Sequence, residues 1–373
     1  MRFVLDARTA TDHFPGIGRY VVNLAQAMVP LLGEGEQLSL LRDLAQSFPY
    51  GLTALSGGPV RTIEVACSPF SLGQQWRVPR LLRGLGADVY HSPYYLMPYR
   101  PGVSTVVTVY DLIPLLFSRH VPARARLLFR WTTAFALRAA SHVIVISEAT
   151  RRDLQACFRL SSQKVTTIPL AAASSFRPRS PTEVARVRRK HALPEDYVLY
   201  LGINKPHKNL VRLIDAFSLV TQHASRFTLV IAGAWDSRYP EPRQRVTELG
   251  LEGDVRFLGP VAEGDLPALY SGALLFAFPS ECEGFGLPVL EAMACGTPVA
   301  CANVSSLPEV GGDAVLYFDP ADVEAIAEAF CQALADADLR TELRERGLRQ
   351  AAHFSWKQTA QRTLDLYRHI VDF

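Results

Sequence analysis

The 373-residue sequence has no apolar run long enough to cross a bilayer, which takes about 20 residues, so a spanning helix is not expected. Its first residues, Met1-Arg-Phe-Val-Leu-Asp6, read as a short strand ending in aspartate and not as a secretory leader. The six cysteines, Cys67, Cys157, Cys282, Cys295, Cys301 and Cys331, show neither metal nor redox spacing. They read as reduced, mostly buried thiols of a cytoplasmic protein. No His, Cys and carboxylate cluster has metal-ligand spacing, and no G-x-S-x-G nucleophile elbow is present. Lysine is nearly missing from the first half: of 20 cationic residues in 1–180, 19 are arginine. No basic cluster carries a nucleic-acid motif, so nucleic acid is not an expected partner.

What is present points to a large, well-packed protein. The length exceeds what one ordinary core fills, so two domains are expected. Apolar residues make up 49% and charged residues 20%, a globular balance. The net charge of +3 hides an asymmetry: residues 1–180 hold 20 basic and 10 acidic residues, the remainder 19 and 26. A basic half suits an anionic membrane surface or an anionic acceptor, or it complements an acidic second domain. The helix expected from Ala123 to Ala140 carries Arg124, Arg126, Arg130 and Arg138 among large apolar residues. It reads as a core helix with a basic outer face, the alternative being a helix lying on a membrane.

Short apolar runs alternate with helical spacing along the whole chain, which argues parallel sheets with helices on both faces. In the first half, strands are expected at Phe3–Asp6, Gln37–Leu41, Asp88–His91, Ser104–Tyr110, His142–Ile146 and Val165–Ile168. Phe176-Arg-Pro-Arg-Ser-Pro181 reads as a linker. The series restarts with Tyr197–Leu201, Phe227–Ala232, Val255–Leu258, Leu274–Ala277, Pro298–Cys301 and Ala314–Phe318. Two doubly wound domains are therefore expected, over 1–175 and 176–355, with a last helix over 356–373 packing back on the first. Ligands would bind at the strand C-terminal ends, facing a central cleft.

The most informative stretch follows the apolar run that ends at Phe278. Pro279-Ser-Glu-Cys-Glu-Gly-Phe-Gly-Leu-Pro-Val-Leu-Glu-Ala-Met-Ala-Cys-Gly-Thr-Pro298 reads as a glycine loop and a helix from about Leu287 to Gly296. A helix N-terminus after a strand is an anion site. Glu283 and Glu291 beside it would repel a bare phosphate, yet suit a ligand that carries hydroxyls as well. Gly202-Ile-Asn-Lys-Pro-His-Lys-Asn209 joins another strand to a helix. Lys205, His207 and Lys208 there are disfavoured by the helix dipole unless an anion such as a diphosphate sits between them. Pro15-Gly-Ile-Gly-Arg-Tyr20 reads as a glycine loop before a helix at Val21–Val29, where Gly16 and Gly18 would let backbone approach a ligand. Backbone groups around Gly259 and Val261 could meet a base edge. Asp336-Ala-Asp338 has the form of a metal motif but lies between two helices and reads as solvated.

These stretches resemble the retaining glycosyltransferases of the GT-B fold, the large family 4 or "group 1" type that includes sucrose synthases, glycogen synthases and bacterial mannosyl- and glucosyltransferases. The resemblance spans nearly the whole chain and is most specific at Pro279–Pro298. Gly16–Tyr20, Asp111-Leu-Ile-Pro114, Ser147-Glu148, Lys208-Asn209 and Ser306-Leu-Pro-Glu309 support it. It implies an α/β GT-B enzyme that moves a hexose from a nucleoside-diphosphate sugar to a glycan, lipid-linked or small-molecule acceptor. It implies no metal and no cofactor. By the same resemblance, Glu283 would hold the sugar hydroxyls and Glu291 the ribose. Gly284, Phe285, Gly286 and Leu287 would present backbone N–H groups, and Lys208 would hold the diphosphate with Gly202, Asn204, Lys205 and Val261 nearby. Lys208, Glu283 and Asp111 would be the catalytic set; Tyr110, Asp111, His91 and Arg19 would face the acceptor. Two positions depart from the family pattern: Ile203 stands where relatives often have arginine, and Tyr110 where many have histidine. A non-catalytic nucleotide-sugar-binding subunit is the alternative reading. The expected location is cytoplasmic, with peripheral contact at the inner face of a membrane.

Overall fold

A computed structural model describes residues 1–11, 15–43, 58–117, 121–223 and 227–371. The chain divides into two compact units, Met1–Leu170 with Ser355–Phe373, and Ala171–Phe354.

Seven parallel strands form the sheet of the first unit: β1 Arg2–Asp6, β2 Gln37–Asp43, β3 Val60–Val65, β4 Val89–Ser92, β5 Ser104–Val109, β6 His142–Val145 and β7 Val165–Thr167. Their order is β3-β2-β1-β4-β5-β6-β7. Leu5 pairs with Leu40 on one side and with His91 on the other. β3 escaped the sequence reading because its alternation, Val60-Arg-Thr-Ile-Glu-Val65, is half polar; the stretch 33–60 reads as Gly-rich and poorly periodic, and its residues 44–57 lie outside the described residues. The helix Gln74–Leu85 was also missed, since it carries Pro79 in its interior.

One correction concerns the first helix. It spans Pro15–Met28, so Gly16 and Gly18 lie in its first turns and not in a loop before it. Proline fits a helix start. The buried stripe Tyr20, Leu24 and Met28, with Val21 and Ala25, repeats every four residues and draws the glycines into the helix.

The terminal helix Trp356–Val371 belongs to the first unit. Tyr367 packs on Phe3, and Arg368 pairs with Glu36 at 2.8 Å.

The second unit has six parallel strands: β8 Tyr197–Leu201, β9 Thr228–Ala232, β10 Val255–Gly259, β11 Leu275–Phe278, β12 Val299–Ala302 and β13 Leu316–Phe318. Their order is β10-β9-β8-β11-β12-β13. β13 starts two residues later than the apolar run suggests, because Ala314 closes a turn onto Gly311. Covered on both faces, β11 is apolar throughout and fully buried, as parallel strands require.

In both units the strand order reverses direction once, between β1 and β4 and between β8 and β11. A crevice opens at such a point beyond the carboxyl ends of the two strands.

Candidate functional site

At the reversal point of the second unit, the turn after β8 meets the turn after β11. The first of these runs through the 3-10 turn Pro206–Lys208 into the helix Leu210–His223. Asn209, at φ +60°, is buried between them and donates to the carbonyls of Pro279 and Pro320 at 3.2 and 2.7 Å. Glu281 N–H donates to the His207 carbonyl at 2.8 Å. This stitching brings Lys208 Nζ to 2.5 Å from Glu283 Oε1, with the ammonium 5.6 Å from the centroid of the Phe278 ring. The two side chains are 15% and 10% exposed, so the pair is largely shielded from water yet reachable. Lys208 and Glu283, expected to touch different parts of a ligand, thus neutralise each other here. Arg212 makes a neighbouring pair with Glu281 at 2.8 Å.

The loop then turns into the helix Leu287–Ala294, near the expected start, with Cys295 as its C-cap and Gly296 following. Its N-cap is Gly286, which has no side chain to bond the first-turn N–H groups. Phe285 packs edge-on to Phe354 at 5.8 Å. Leu287 and Gly284 flank the same turn. Glu291, one turn in, is 2% exposed and accepts a hydrogen bond from the Tyr270 hydroxyl at 3.2 Å. Sequence reasoning missed Ser305 as a support. At φ +58° it aims its hydroxyl at the Glu283 carbonyl at 2.7 Å, and Ser306 donates to the same oxygen at 2.9 Å. Two donors on one carbonyl fix the backbone that carries the Glu283 side chain. The only sequence signal for this was the Ser-Ser pair preceding Leu307-Pro-Glu309.

Beyond the ends of β8, β9 and β10 lies a small, partly open recess lined by Gly202, Asn204, Gly233, Trp235, Gly259 and Arg243 among others. Gly233, at φ +124°, lies so near the Gly202 carbonyl that a Cβ would come within 2.3 Å of it. Arg243, another residue the sequence reading passed over, sets its guanidinium 4.6 Å from the Trp235 ring centroid and 4.7 Å from that of Phe257. It brings a cation to the recess that Gly202 lines, while Ile203 supplies none. Asn204 differs from expectation: its amide donates to the Asp236 and Tyr239 carbonyls and accepts from Asp236 N–H. Its side chain is spent on holding that loop. Lys205 is exposed near Asp236, and Val261 follows the end of β10 half-buried. Asp336 of the Asp336-Ala-Asp338 triplet caps the helix Ala337–Ala352 by accepting from Leu339 N–H at 2.9 Å.

In the first unit His91 lies within β4 and Tyr110 and Asp111 follow the neighbouring β5, but two of these differ from their assigned roles. His91 is fully buried; its Nδ1 meets the Tyr367 hydroxyl at 2.5 Å and its Nε2 the Thr108 hydroxyl at 2.7 Å. Burial pushes its pKa down to about 3, despite some opposition from Asp6, so it is a neutral core residue with both nitrogens engaged and not an acceptor contact. Tyr110 stacks edge-on to Tyr20 at 5.5 Å, and its hydroxyl is buried with no hydrogen-bond partner among the described residues. Asp111 Oδ1 accepts from Ile113 N–H at 3.0 Å and so caps the turn Ile113–Leu116. Arg19, Gly16 and Gly18 sit in the first turns of the helix after β1.

The sequence reading also passed over a buried ion pair at the end of β1. Arg8 and Asp6 meet at 2.6 Å, with Tyr90 donating to the same carboxylate at 2.5 Å. Burial alone would raise the Asp6 carboxyl, but the charge and hydrogen bonds of Arg8 outweigh it and hold it below the ordinary carboxylate range.

Two doubly wound parallel sheets, with a lysine–glutamate pair and a capless helix start at a strand-order reversal, define a protein of the GT-B glycosyltransferase class. Residues 183–350 match the family described as Glycosyl transferases group 1, and residues 15–176 match Glycosyltransferase Family 4. The chain belongs to this glycosyltransferase family. It is 36% identical over 293 residues to O-antigen chain mannosyltransferase B of Escherichia coli, covering 77% of this chain and 76% of that protein. It is 33% identical over 276 residues to the serotype-specific mannosyltransferase WbdA of Escherichia coli, covering 72% of this chain and about a third (34%) of that longer protein. The crystal structure of HepE of Anabaena in complex with UDP and glucose superposes with a TM-score of 0.78 at 21% identity, over 99% of this chain and 100% of that one. No helix among the described residues is long and apolar enough to cross a membrane.

Proposed function

We propose that this chain moves a hexose, of the mannose or glucose type, from a nucleoside-diphosphate sugar to a glycan, lipid-linked or small-molecule acceptor. The transfer retains configuration at the anomeric carbon and needs no metal. The observation that carries the reading is the Lys208–Glu283 pair at 2.5 Å beside the start of the helix Leu287–Ala294. The names of the relatives favour mannose, and the nucleotide in the HepE complex favours a diphosphate donor.

Transfer breaks the bond between the anomeric carbon and the leaving phosphate oxygen, so negative charge grows on the diphosphate. Lys208 has three donors and no acceptor. It can turn from Glu283 to the diphosphate as the donor enters, and the first-turn N–H groups of the capless helix add to that field. Glu283, released from Lys208, accepts from the sugar hydroxyls. Glu291 receives the ribose diol. Arg243 supplies the cation that Ile203 cannot. In the front-face route that the family resemblance implies, the leaving phosphate takes the acceptor's proton, and no protein carboxylate acts as nucleophile. Asp111 stays the candidate contact on the acceptor side.

The test pairs binding with chemistry. In a panel of nucleoside diphosphates, one base should raise the melting temperature, since a ligand at a hundred times its Kd adds about 2.7 kcal/mol of stability. The matching diphosphate sugar should be turned over in chelator with an axial anomeric bond kept axial by NMR. Lys208→Ala should lower kcat by about 10²–10³, the scale of one lost charge-stabilising donor. Absence of any diphosphate stabilisation would sink the reading; binding without turnover in the presence of acceptor extracts would leave the non-catalytic subunit.

A further inference from the structure

The helix Ala123–Ala139 in the first unit has two apolar faces. Phe129, Thr133, Ala136 and Leu137 point into the core. On the opposite side, Arg124, Leu128, Trp131, Phe135 and Arg138 recur at alternating spacings of four and three, which places them along one outward stripe. Leu128 is 65% exposed and Trp131 57%, and Leu127 beside them is also exposed. A surface helix normally turns charged and polar side chains outward, and one that is apolar all round is covered by something. The sequence reading of a core helix with a basic outer face is therefore half the case: the outer face is basic at its ends and apolar in its middle.

A second group of exposed apolar residues borders the same surface. Leu72 is 80% exposed and Trp76, on the helix Gln74–Leu85, is 71% exposed, with Phe70 next to them. Both groups flank the segment from Tyr94 to Tyr99. Phe70 meets Tyr94, Tyr95 meets Phe129, and Tyr99 meets Phe135 through ring contacts of 4.9 to 6.5 Å.

The sequence around this surface carries mostly positive charge. From Cys67 to Ser147 the sequence holds nine arginines, no lysine and two acidic residues, Asp88 and Asp111. Both acids accept backbone hydrogen bonds, Asp88 from Arg2 N–H at 2.7 Å and Asp111 from Ile113 N–H at 3.0 Å. Arg124, Arg126, Arg130 and Arg138 form no ion pair among the described residues.

We propose that this face of the first unit docks on an anionic lipid bilayer, with the outward stripe of the helix Ala123–Ala139 lying in the headgroup region and the arginines on lipid phosphates. Tryptophan, leucine and phenylalanine between arginines is the composition that sits at such an interface. Guanidinium groups pair with phosphate oxygens two at a time. A second copy of the chain fits less well: a two-fold contact would set this arginine-bearing face against itself with no carboxylate to answer it.

The experiment is co-sedimentation of the full chain with vesicles of phosphatidylcholine alone or mixed with phosphatidylglycerol, at low and high salt. The chain should bind the anionic vesicles, weaken with salt and bind the neutral ones poorly. Leu128→Glu with Trp131→Glu should cut binding at least about tenfold, because both side chains already face water and the fold does not need them. Arg124→Gln with Arg130→Gln and Arg138→Gln should lower anionic binding by a similar factor and flatten its salt dependence. Nucleoside-diphosphate stabilisation of the same samples certifies the fold and reads the donor site separately. Failure of the wild type to sediment with anionic vesicles overturns the proposal, as does equal binding by both variants. Self-association in solution, lost in Leu128→Glu with Trp131→Glu and without vesicle binding, would also overturn it in favour of a protein partner.

Discussion

His91 shows how a residue chosen for chemistry turns out to carry stability. Sequence position put it at the end of a strand, where site residues gather, but its ring is fully buried between Thr108 and Tyr367. Burial holds its folded pKa at about 3 against an ordinary value of 6.5. The folded state therefore binds fewer protons than the unfolded state in that window, and stability rises with pH across it. The contribution is complete above 6.5 and falls as the pH drops toward 3. The slope is about 1.4 kcal/mol per pH unit for one proton. The negative charge of Asp6 opposes the shift only in part. Thermal melts across this range should show His91→Gln less stable than wild type at neutral pH, with a shallower fall toward acid by one proton's worth; parallel curves would show that another group sets the slope. No periodicity could have revealed this, since a strand-end histidine looks the same whether it faces solvent or a tyrosine hydroxyl from residue 367.

Single elements were legible where backbone chemistry decides them. Glycine, proline and a buried strand located the helix Leu287–Ala294 almost to the residue. Gly286 is where that loop is least replaceable. It sits at φ +100°, and a Cβ there would come within 2.6 Å of Leu307 Cδ2. Gly286→Ala should cost about 1–3 kcal/mol from the backbone conformation alone and shift the first-turn N–H groups away from a ligand. Gly253→Ala, which meets nothing within 4 Å, is the control. Melting temperature and diphosphate affinity should both fall for the first variant and hold for the second; equal behaviour would mean the helix start tolerates a side chain. Where backbone chemistry pulls two ways, legibility fails. Pro15-Gly-Ile-Gly reads as a loop by composition, but the stripe of Tyr20, Leu24 and Met28 makes it a helix start. The outward apolar stripe of Ala123–Ala139 was hidden for a related reason, because two opposite stripes cancel any one-sided periodicity.

On the scale of the whole molecule, each unit repeats the same logic: a parallel sheet whose order reverses once, with charged pairs at the reversal. In the second unit the pair is Lys208 and Glu283; in the first it is the buried Arg8 and Asp6. The alternation of strands and helices made both sheets readable, whereas the pairs depend on side chains meeting from distant turns. Buried pairs of this kind cost desolvation, and losing one partner strands the other. The first unit also depends on chain from the far end of the sequence. The helix Trp356–Val371 supplies Tyr367 to His91, Arg368 to Glu36 and Thr359 Oγ1 to the Pro169 carbonyl at 2.7 Å. A chain ending at Phe354 should leave His91 and Glu36 without these partners and uncover Phe3. The sheet of the second unit, with Lys208, Glu283 and Glu291, loses nothing of its own. Calorimetry should then show two transitions: an early one for residues 1–170, and a later one that still rises with the nucleoside diphosphate that stabilises the full chain, since that ligand acts on whatever folded unit binds it. Loss of all nucleotide-dependent stabilisation would mean that the donor site needs the first unit intact, and would favour Gly16 and Gly18 as contacts of the donor.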